Sequence, residues 1–433
     1  MTAEAAVPAT AARPEPSRLY RWMVLLFISL AMLGNYYVYD CIAPIADLLA
    51  KQLHFSDSNI GLLQAIYSIP NVFMVLVGGV IVDRIGTRKS IFIFGVLCFI
   101  GAVITVLSGT LYVMAAGRLV FGLGAESLIV AVTTAVAKWF RGKELSFAFG
   151  MNLMLARCGS FLAQFSPTWA RSAYDSWRNP LLISVGFASL CVIGAVIYWI
   201  LEARAERRYA LSAGTTDKIV FSDIKNFGVS YWYIVALCIV FYSAIFPFET
   251  FAYKFFIDAH YSTRELAGQL VGMLTLFTMF GTPAFGIFVD KFGRRALLMM
   301  LGSLLLIPVY LMMGYTDVNL RVPMAMMGVA FALIPAVMWP SVAYIVPQEK
   351  LGTAYGLMTM IQNIGLAGFN LLVGWANDHA HASADNPHGY ALGMWIFSIL
   401  GFLGVLFSWL LRQRELGPHG HGLETITTAS QPA

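Results

Sequence analysis

One loop pattern occurs twice in this chain, and this repeat constrains the fold more than any other feature. The first copy reads Gly-Val-Ile-Val-Asp-Arg-Ile-Gly over residues 79–86, and the second reads Gly-Ile-Phe-Val-Asp-Lys-Phe-Gly over residues 286–293. Their aspartates, Asp83 and Asp290, lie 207 positions apart. Segments 143–150 and 349–356 match each other at an offset of 206. Two matches at nearly one spacing predict a chain built from two copies of one structural unit.

Composition places this repeat in a lipid environment. Hydrophobic residues make up 59% of the 433 residues and charged residues only 12%, against about 25% in soluble proteins. The apolar residues form twelve runs, each of about 20 residues and long enough to cross a hydrocarbon core of about 30 Å. These runs lack the alternation of barrel strands, so helices must satisfy the backbone groups in the bilayer. We therefore predict an all-α membrane protein with twelve transmembrane helices in two pseudo-symmetric six-helix bundles.

Polar segments divide the chain around these two bundles. We predict a disordered tail over residues 1–18, bundles over 19–202 and 228–412, a linker over 203–227 and a tail over 413–433. Both termini are expected in the cytoplasm, because 20 of the 28 Lys and Arg residues then lie on that side. The net charge of +5 follows from this distribution and indicates no nucleic-acid partner. Residues 1–18 lack the apolar stretch of a cleavable signal peptide.

The doubled loop resembles the signature of the major facilitator superfamily, and the resemblance covers essentially the whole chain. It implies a transporter whose two halves rock about a site at the middle of the membrane. In such a family Asp83 would latch the outward-facing state by accepting hydrogen bonds from a facing helix N-terminus. The basic residues of the loops are equally explained by positive-inside topology, whereas the aspartates are not. We predict a gating role for Gly79, Asp83, Arg84, Gly86, Arg88, Gly286, Asp290, Lys291, Gly293 and Arg295.

Three more residues are predicted to affect gating. Arg118 resembles the helix-4 arginine common in the superfamily, and packing among polar neighbours explains it equally well. Pro335 and Pro340 lie five positions apart in the tenth apolar run, where each removes a backbone hydrogen bond. The resulting bend would act as a gate or would only shape the packing.

Two ionisable residues near the middle of the membrane are the main substrate-site candidates. Glu126 lies in the fourth apolar run and Arg157 in the fifth. An isolated charge at the midplane costs roughly 2.5–3.5 kcal/mol on insertion scales, so such residues are usually paired and functional. We expect the two to pair when the site is empty and to exchange partners with the ammonium and carboxylate of a bound zwitterion. Purely structural pairing is the alternative.

Further residues are predicted to line the same cavity, because helices 1, 4, 7 and 10 do so in this superfamily. A carboxylate among them would serve proton coupling, although Glu249 is equally explained as a solvated interfacial acid. Asn363 is the repeat counterpart of Arg157, which indicates that charge recognition belongs to the first half. Asp47 and Asp258 are interpreted as charges at loop edges. The predicted lining residues are Asp40, Tyr36, Glu249, Trp339, Gln362 and Asn363.

Several segments resemble a narrower group, the lysosomal dipeptide transporter branch of the superfamily and its bacterial relatives. In that branch the helix-4 Glu and the helix-5 Arg are implicated in peptide binding, which implies this role for Glu126 and Arg157. The stretch from Glu249 to Lys254 departs from the branch, because it has an acid where the branch is neutral. The matching segments are 117–128, 139–145, 156–160, 246–248, 339–347, 351–356 and 361–365.

We therefore predict a transporter, not an enzyme, that moves a small polar solute by alternating access, foremost a dipeptide or related zwitterion. The alternatives are an organic anion, an iron or other metal species, and a non-transporting sensor of the same fold. Uniport and proton symport both stay open. We predict a monomer in the lipid bilayer of a bacterial inner membrane or an invagination such as a magnetosome, and an accessory membrane protein stays open. The five cysteines have no metal-type spacing, and we predict neither a metal site nor a cofactor.

Overall fold

The described part of the chain is almost entirely helical. The computed structural model describes residues 14–140, 144–209, 224–225 and 227–427, without the side chain of Ser146. The first half contains α1 (Arg18–Asp40), α2 (Ala46–Leu53), α3 (Asp57–Leu107), α4 (Leu111–Phe140), α5 (Leu145–Gln164), α6 (Ser166–Trp169) and α7 (Arg178–Arg208). The second half contains α8 (Val229–His260), α9 (Arg264–Phe292), α10 (Arg295–Tyr315), α11 (Arg321–Ile345), α12 (Leu351–His379) and α13 (Ala391–Leu416).

Helix α3 crosses the membrane twice. At about 1.5 Å per residue its 51 residues extend over roughly 75 Å, more than twice a hydrocarbon core of about 30 Å. Gly86 interrupts the helix with φ 84° and ψ 161°, a backbone region that is essentially restricted to glycine. The chain therefore turns back at Gly86, so that α3 supplies both the second and the third membrane span.

Ten helical segments of the described chain are long and apolar enough to cross a membrane, with α3 counted once. Helix α5 is not among them; its 20 residues include polar side chains such as Asn152, Arg157 and Gln164. It nevertheless packs between α1 and α9 within the bundle. With α5 included and α3 counted twice, twelve spans result, six in each half.

Twelve crossings place the two ends of the chain on the same side of the membrane. We call this side the terminal face, because α1 begins there and α13 ends there. The opposite side is called the far face. The turns at Gly86 and Gly293 lie at the terminal face, whereas α3 and α9 begin at the far face.

The two halves enter their second spans in the same way. The C-cap of α2 is His54 with φ 57°, and that of α8 is Tyr261 with φ 50°, both in the left-handed region that often ends helices. The hydroxyls of Ser56 and Thr263 then accept a backbone N–H from the first turns of α3 and α9. Each pair of residues is 207 positions apart. The repeat offset read from the loops thus also relates helix ends at the far face.

The most extensive contacts between the halves are those of α3 with α12 and of α5 with α9. Glycines permit the closest approach at the far face. A Cβ added at Gly61 would lie 2.3 Å from the carbonyl oxygen of Asn370, and one at Gly374 would lie 2.5 Å from that of Asp57. Small residues of this kind let transmembrane helices pack with their backbones in contact. The far-face ends of α3 and α12 are therefore packed backbone to backbone.

Several predicted boundaries fall close to helix ends. Helix α7 continues to Arg208, past residue 202, and α13 continues to Leu416, past residue 412. Residues 1–13 of the predicted N-terminal tail, 210–223 and 226 of the linker, and 428–433 of the C-terminal tail lie outside the described residues. The described part of the C-terminal tail folds back onto α10, where the Glu424 carboxylate accepts the Leu297 N–H at 3.1 Å. This contact satisfies a donor in the first turn of α10.

Candidate substrate cavity and gates

A central cavity lies between the two halves. It holds about 840 Å³ of empty space, including its open mouth. All predicted substrate-site residues except Trp339 line it, and their roles in binding stay predictions. The lining consists of Asn35, Tyr36, Tyr39, Asp40, Tyr67, Glu126, Ile129, Arg157, Ser160, Gln164, Tyr242, Phe246, Glu249, Thr275, Phe331, Thr359, Gln362, Asn363 and Leu366.

Arg157 and Glu126 enter the cavity from α5 and α4. The guanidinium carbon of Arg157 lies 5.7 Å from the ring centre of Tyr36 and 5.9 Å from that of Phe331. Because Phe331 belongs to the second half, Arg157 connects the halves through a cation–π contact. Within the described residues, Arg157 and Glu126 form no ion pair with N···O within 4.0 Å. The expected pairing of these two residues in the empty site is therefore not observed.

Two further acids reach the cavity from opposite halves. Asp40, at the end of α1, is 8% exposed, and Glu249, in α8, is 5% exposed. Both also line a smaller pocket of about 260 Å³ next to the central cavity. The interpretation of Glu249 as a solvated interfacial carboxylate is wrong, because its side chain is enclosed by protein.

The second half contributes neutral polar groups to the lining. Gln362 and Asn363 face the cavity from α12, and the Asn363 amide donates to the Thr359 carbonyl at 3.0 Å. Trp339 lies behind the lining, where its indole N–H donates to the Tyr242 hydroxyl at 2.9 Å. Trp339 therefore supports the cavity wall through Tyr242 and does not itself line the cavity.

Arg118 is buried inside the first half, with 1% of its surface exposed. Its guanidinium donates to the carbonyl oxygens of Val38 at 2.9 Å and Tyr39 at 3.2 Å, and to the Gln64 side chain at 2.5 Å. These carbonyls belong to the last turn of α1, which has no helical donors for them. Arg118 therefore holds the end of α1 next to Asp40, and a role in gating stays a prediction.

The first copy of the doubled loop lies at the terminal face. Asp83 and Arg84 are exposed there, and Gly79 is half-buried. Arg88 pairs with Glu206 of α7 at 3.0 Å. The loop is thus tied to α7 of its own half in this structure, and the latch predicted for Asp83 stays untested.

The second copy has the same backbone feature and a different ion pair. Gly293 ends α9 with φ 66°, which parallels the positive φ of the first loop. Arg295 is 1% exposed and donates to the exposed Asp290 carboxylate at 2.9 Å. Lys291 is exposed and Gly286 is half-buried. The gating role of these residues stays a prediction.

The two predicted gating prolines lie inside α11. This helix remains continuous from Arg321 to Ile345 despite Pro335 and Pro340. Each proline leaves the carbonyl four residues earlier without its helical donor. The prolines therefore weaken the helix without dividing it, and gating at this point stays a prediction.

A set of charged residues that the sequence analysis missed joins the halves at the far face. The Lys254 ammonium of α8 lies 2.5 Å from the carboxylate of Asp57, which begins α3. The Asn377 amide donates to the same carboxylate at 2.9 Å. The Asp378 carboxylate accepts the backbone N–H groups of Asp57 and Ser58, each at 2.8 Å. These contacts anchor the start of α3 to α8 and α12 of the other half.

A second ion pair joins the halves nearby. The Arg264 guanidinium binds both carboxylate oxygens of Asp47 at 2.6 Å and donates to the Pro44 carbonyl at 3.0 Å. Asp47 is 1% exposed. Asp258 is also buried and accepts a hydrogen bond from the Tyr390 hydroxyl at 2.8 Å. Asp47 and Asp258 lie next to helix ends, as interpreted, but both are buried and have partners.

The repeat offset contains the signal that would have found these residues. Asp47 precedes Lys254 by 207 positions, and Asp57 precedes Arg264 by 207 positions. Equivalent positions of the two halves thus carry opposite charges, with both acids in the first half. We refer to the four residues as the far-face gate: Asp47, Asp57, Lys254 and Arg264.

The family of the chain follows from its sequence together with this two-bundle architecture. The sequence model of the Major Facilitator Superfamily matches residues 28–370 and 263–424. The chain belongs to the Major Facilitator Superfamily. The predicted fold class is thereby confirmed, and this major facilitator protein is a multi-pass transporter, not an enzyme.

Relatives within the superfamily are similar over most of their length. The lysosomal dipeptide transporter MFSD1 of Danio rerio is 33% identical over 370 residues, which cover 82% of this chain and 80% of the relative. The Homo sapiens transporter of the same name is 33% identical over 395 residues, which cover 87% of this chain and 84% of the relative. A solved structure of a bacterial homologue of the human lysosomal transporter Spinster, inward-facing and unoccupied, aligns with a TM-score of 0.76. That alignment covers 92% of this chain and 98% of the homologue at 17% identity, so it shows a shared fold.

Proposed function

We propose that this major facilitator transporter carries a dipeptide or a related zwitterion by alternating access. The observation that carries the proposal is a guanidinium and a carboxylate in one cavity between the halves, each without an ionic partner. Arg157 and Glu126 both line this cavity, and neither forms an ion pair within 4.0 Å among the described residues. The cavity thus offers one group of each charge to a substrate.

Each charge suits one end of a zwitterion. The guanidinium of Arg157 is planar and presents paired N–H groups that match a carboxylate. The rings of Tyr36 and Phe331 lie within 6 Å of it and leave its N–H edges for a ligand. In its ionised form Glu126 can only accept hydrogen bonds, which suits an ammonium donor.

The other charges of the lining favour a zwitterion over an organic anion. Asp40 and Glu249 add two carboxylic acids to Glu126, against the single guanidinium of Arg157 in the described lining. A solute with only negative charge would therefore meet more repulsion than attraction. For a metal species, the described residues offer no group of three or more His, Cys, Asp or Glu side chains that could hold an ion.

The relatives and the far-face gate agree with this proposal. Both lysosomal dipeptide transporters described above match over more than four-fifths of this chain. At the far face, the gate ion pairs and the glycine contacts at Gly61 and Gly374 separate the cavity from that side of the membrane. Release of a substrate toward the far face requires these contacts to break, which is the rocking motion of alternating access.

A binding screen with purified protein tests the substrate class. We expect neutral dipeptides to raise the apparent unfolding temperature, because a ligand selective for the folded state stabilises it by mass action. N-acetylated dipeptides, which lack the ammonium, and dipeptide amides, which lack the carboxylate, are the matched ligand controls and should bind more weakly. Selective stabilisation by uronates or metal complexes would contradict the proposal.

Two substitutions then assign the ends of the substrate. Arg157→Gln should weaken dipeptide binding roughly 10- to 100-fold, the loss expected for a charged hydrogen bond of about 1.5–3 kcal/mol. Glu126→Gln should weaken dipeptide binding by a similar factor. The N-acetylated dipeptide, which lacks the ammonium, should bind this variant and the wild type with equal affinity. Uptake and binding that are unaltered in both variants would refute the assignment.

We also propose that the terminal face is cytoplasmic in a bacterial inner membrane. The support is the distribution of Lys and Arg residues, most of which flank the spans at this face. A green fluorescent protein fused after Ala433 should fluoresce in bacterial cells, whereas alkaline phosphatase fused there should be inactive. Active phosphatase at this position would reverse the orientation.

A further inference from the structure

Glu249 is a buried acid without a hydrogen-bond partner for one of its oxygens. Its side chain is 5% exposed, and Oε1 makes no hydrogen bond. The side chain lines both the central cavity and the smaller pocket next to it. An ionised carboxylate in such a place loses its hydration without gaining donors, which is one of the costliest arrangements in a protein.

The nearest charged groups do not relieve this cost. Those that face Glu249 are Asp40 from α1 and Arg157 from α5. Asp40 carries the same charge as Glu249, is 8% exposed and lines the same two cavities. Arg157 is the cation to which the carboxylate of the proposed substrate would bind, so it is not available to Glu249 in the loaded state. Arg118, which lies behind Asp40, is already bonded to the carbonyls of α1.

The remaining neighbours supply hydroxyl, amide and apolar groups. The tyrosines that face Glu249 are Tyr39 of α1, Tyr253 of α8 and Tyr310 of α10. The Tyr310 hydroxyl donates to a carbonyl of α8, and the Tyr253 hydroxyl donates to the carbonyl of Gln164. These donors are thus committed elsewhere. The helices α9, α11 and α12 present uncharged residues to the cavity, including Thr275, Phe331 and Gln362.

We propose that Asp40 and Glu249 form a proton-binding site, and that transport of the zwitterion is coupled to the proton held there. The inference rests on the proposed transport function, which it extends from facilitated diffusion to proton symport. In the state closed at the far face, the proton neutralises one of two carboxylic acids that share one poorly hydrated space. No other reactant is needed, because the carboxylate takes the proton from water at one face and returns it to water at the other.

The position of the site connects it to the far-face gate. Glu249 and the gate residue Lys254 are five positions apart on α8, roughly 7.5 Å along the axis. Asp40 ends α1, and the turn that follows it leads to Pro44 and Asp47, which both bind Arg264. Opening of the far face moves these segments apart and admits water to both acids. The proton can then leave toward, or enter from, the far face.

A ligand-independent experiment detects the proton directly. Infrared difference spectra of the purified full-length protein, taken between mildly acidic and alkaline buffers, should contain a carboxylic-acid C=O band from a buried site. Glu249→Gln or Asp40→Asn should remove this band. Glu349→Gln, the same chemical change at an exposed residue of the terminal face, should leave it. A band that survives both cavity substitutions would overturn the proposal.

A transport experiment separates the failure of coupling from the failure of transport. In proteoliposomes, an inward proton gradient should drive wild-type accumulation of a labelled dipeptide, and a sodium gradient should not. Glu249→Gln should lose this accumulation but retain counterflow exchange of the same dipeptide. Wild-type counterflow without any accumulation driven by the proton gradient would overturn the coupling and leave the proposed function intact. Absence of wild-type counterflow would instead refute the proposed dipeptide transport, and the infrared band would still decide the proton site.

Discussion

The two halves of this transporter share their geometry at the far face and differ in the charges they place there. Both halves end a helix with a left-handed residue, His54 or Tyr261, seven positions after the first gate residue of that half. Both then cap the next helix with a hydroxyl residue nine positions after that gate residue. The first half then carries acids at its two gate positions, and the second half carries bases. The repeated backbone thus sets the positions of the gate residues. Because these positions carry acids in one half and bases in the other, the residues attract each other across the interface.

The same comparison shows an unequal cost between the halves. Asp57 occupies the first turn of α3, where the helix dipole favours an acid. Its counterpart Arg264 occupies the first turn of α9, where the dipole disfavours a base, and Glu265 follows it there. Arg264 is therefore unfavourable for the N-terminus of its own helix, and its stabilisation depends more on the ion pair with Asp47 of the other half.

Reversal of one gate charge should have the largest effect. Lys254→Asp would set two carboxylates against each other at a buried site, where loss of a partner alone costs about 3–5 kcal/mol. We expect the far face to open in most molecules. Spin labels at the exposed, pseudo-equivalent positions Thr110 and Asp317 would report this as a longer distance between the halves, in a variant without other cysteines.

The double reversal tests whether opposition of charge is what matters. Adding Asp57→Lys to Lys254→Asp should restore most of the short distance, but not all of it, because a lysine is unfavourable in the first turn of α3 by about 0.3–1 kcal/mol. Lys51→Met is the matched control. Lys51 is 59% exposed and lies 3.5 Å from Asp47, and exposed pairs contribute only about 0–1 kcal/mol. If the double variant does not recover the short distance between the spin labels, the effect of Lys254→Asp alone would be due to packing and not to charge.

A smaller difference between the halves is expected at their contact glycines. A Cβ at Gly61 would lie 2.3 Å from a backbone oxygen of the other half, whereas one at the equivalent Gly268 would lie 3.1 Å from its nearest atom. Gly61→Ala should therefore disfavour the closed far face by about 1–3 kcal/mol, the range for overpacked sites. Gly268→Ala should have clearly less effect in the same distance measurement.

Gly368→Ala is the control for helix propensity. Nothing lies within 4 Å of the position of its added Cβ, so the substitution should favour α12 slightly, as alanine does in helices. Equal effects of Gly61→Ala and Gly268→Ala would show that the two glycines are equally important for closure of the far face. The different Cβ distances at the two glycines would then not explain their roles.

The architecture could be predicted from the sequence because its determinants are local or periodic. The loops ending in Gly86 and Gly293 require glycine for a positive φ, and the apolar runs have the length of the bilayer. The depth of Glu126 and Arg157 followed from their positions within runs, which is why both line one cavity. Depth alone says nothing about rotation of a helix about its axis. The predicted ion pair was therefore wrong, and Arg157 lies between Tyr36 and Phe331 instead.

The far-face gate was missed because its partners are far apart in sequence and belong to different halves. Asp47 and Asp258 lie at the ends of apolar runs, where a charge is usually solvated. Their burial depends on how closely the halves approach, and that distance is a property of one conformational state. Lys254 lies in a stretch that departs from the related transporters, and nothing near it in the chain reveals Asp57 as its partner.

The charge arrangement of the gate also bears on how such a protein assembles. If two copies of the first half associated through this surface, symmetry would bring Asp47 of each copy against Asp57 of the other, and two copies of the second half would bring Lys254 against Arg264. Both like pairings repel. The gate residues attract each other only when a first half meets a second half. The charges of the fused chain therefore favour pairing of unlike halves, and two identical halves would lack this preference.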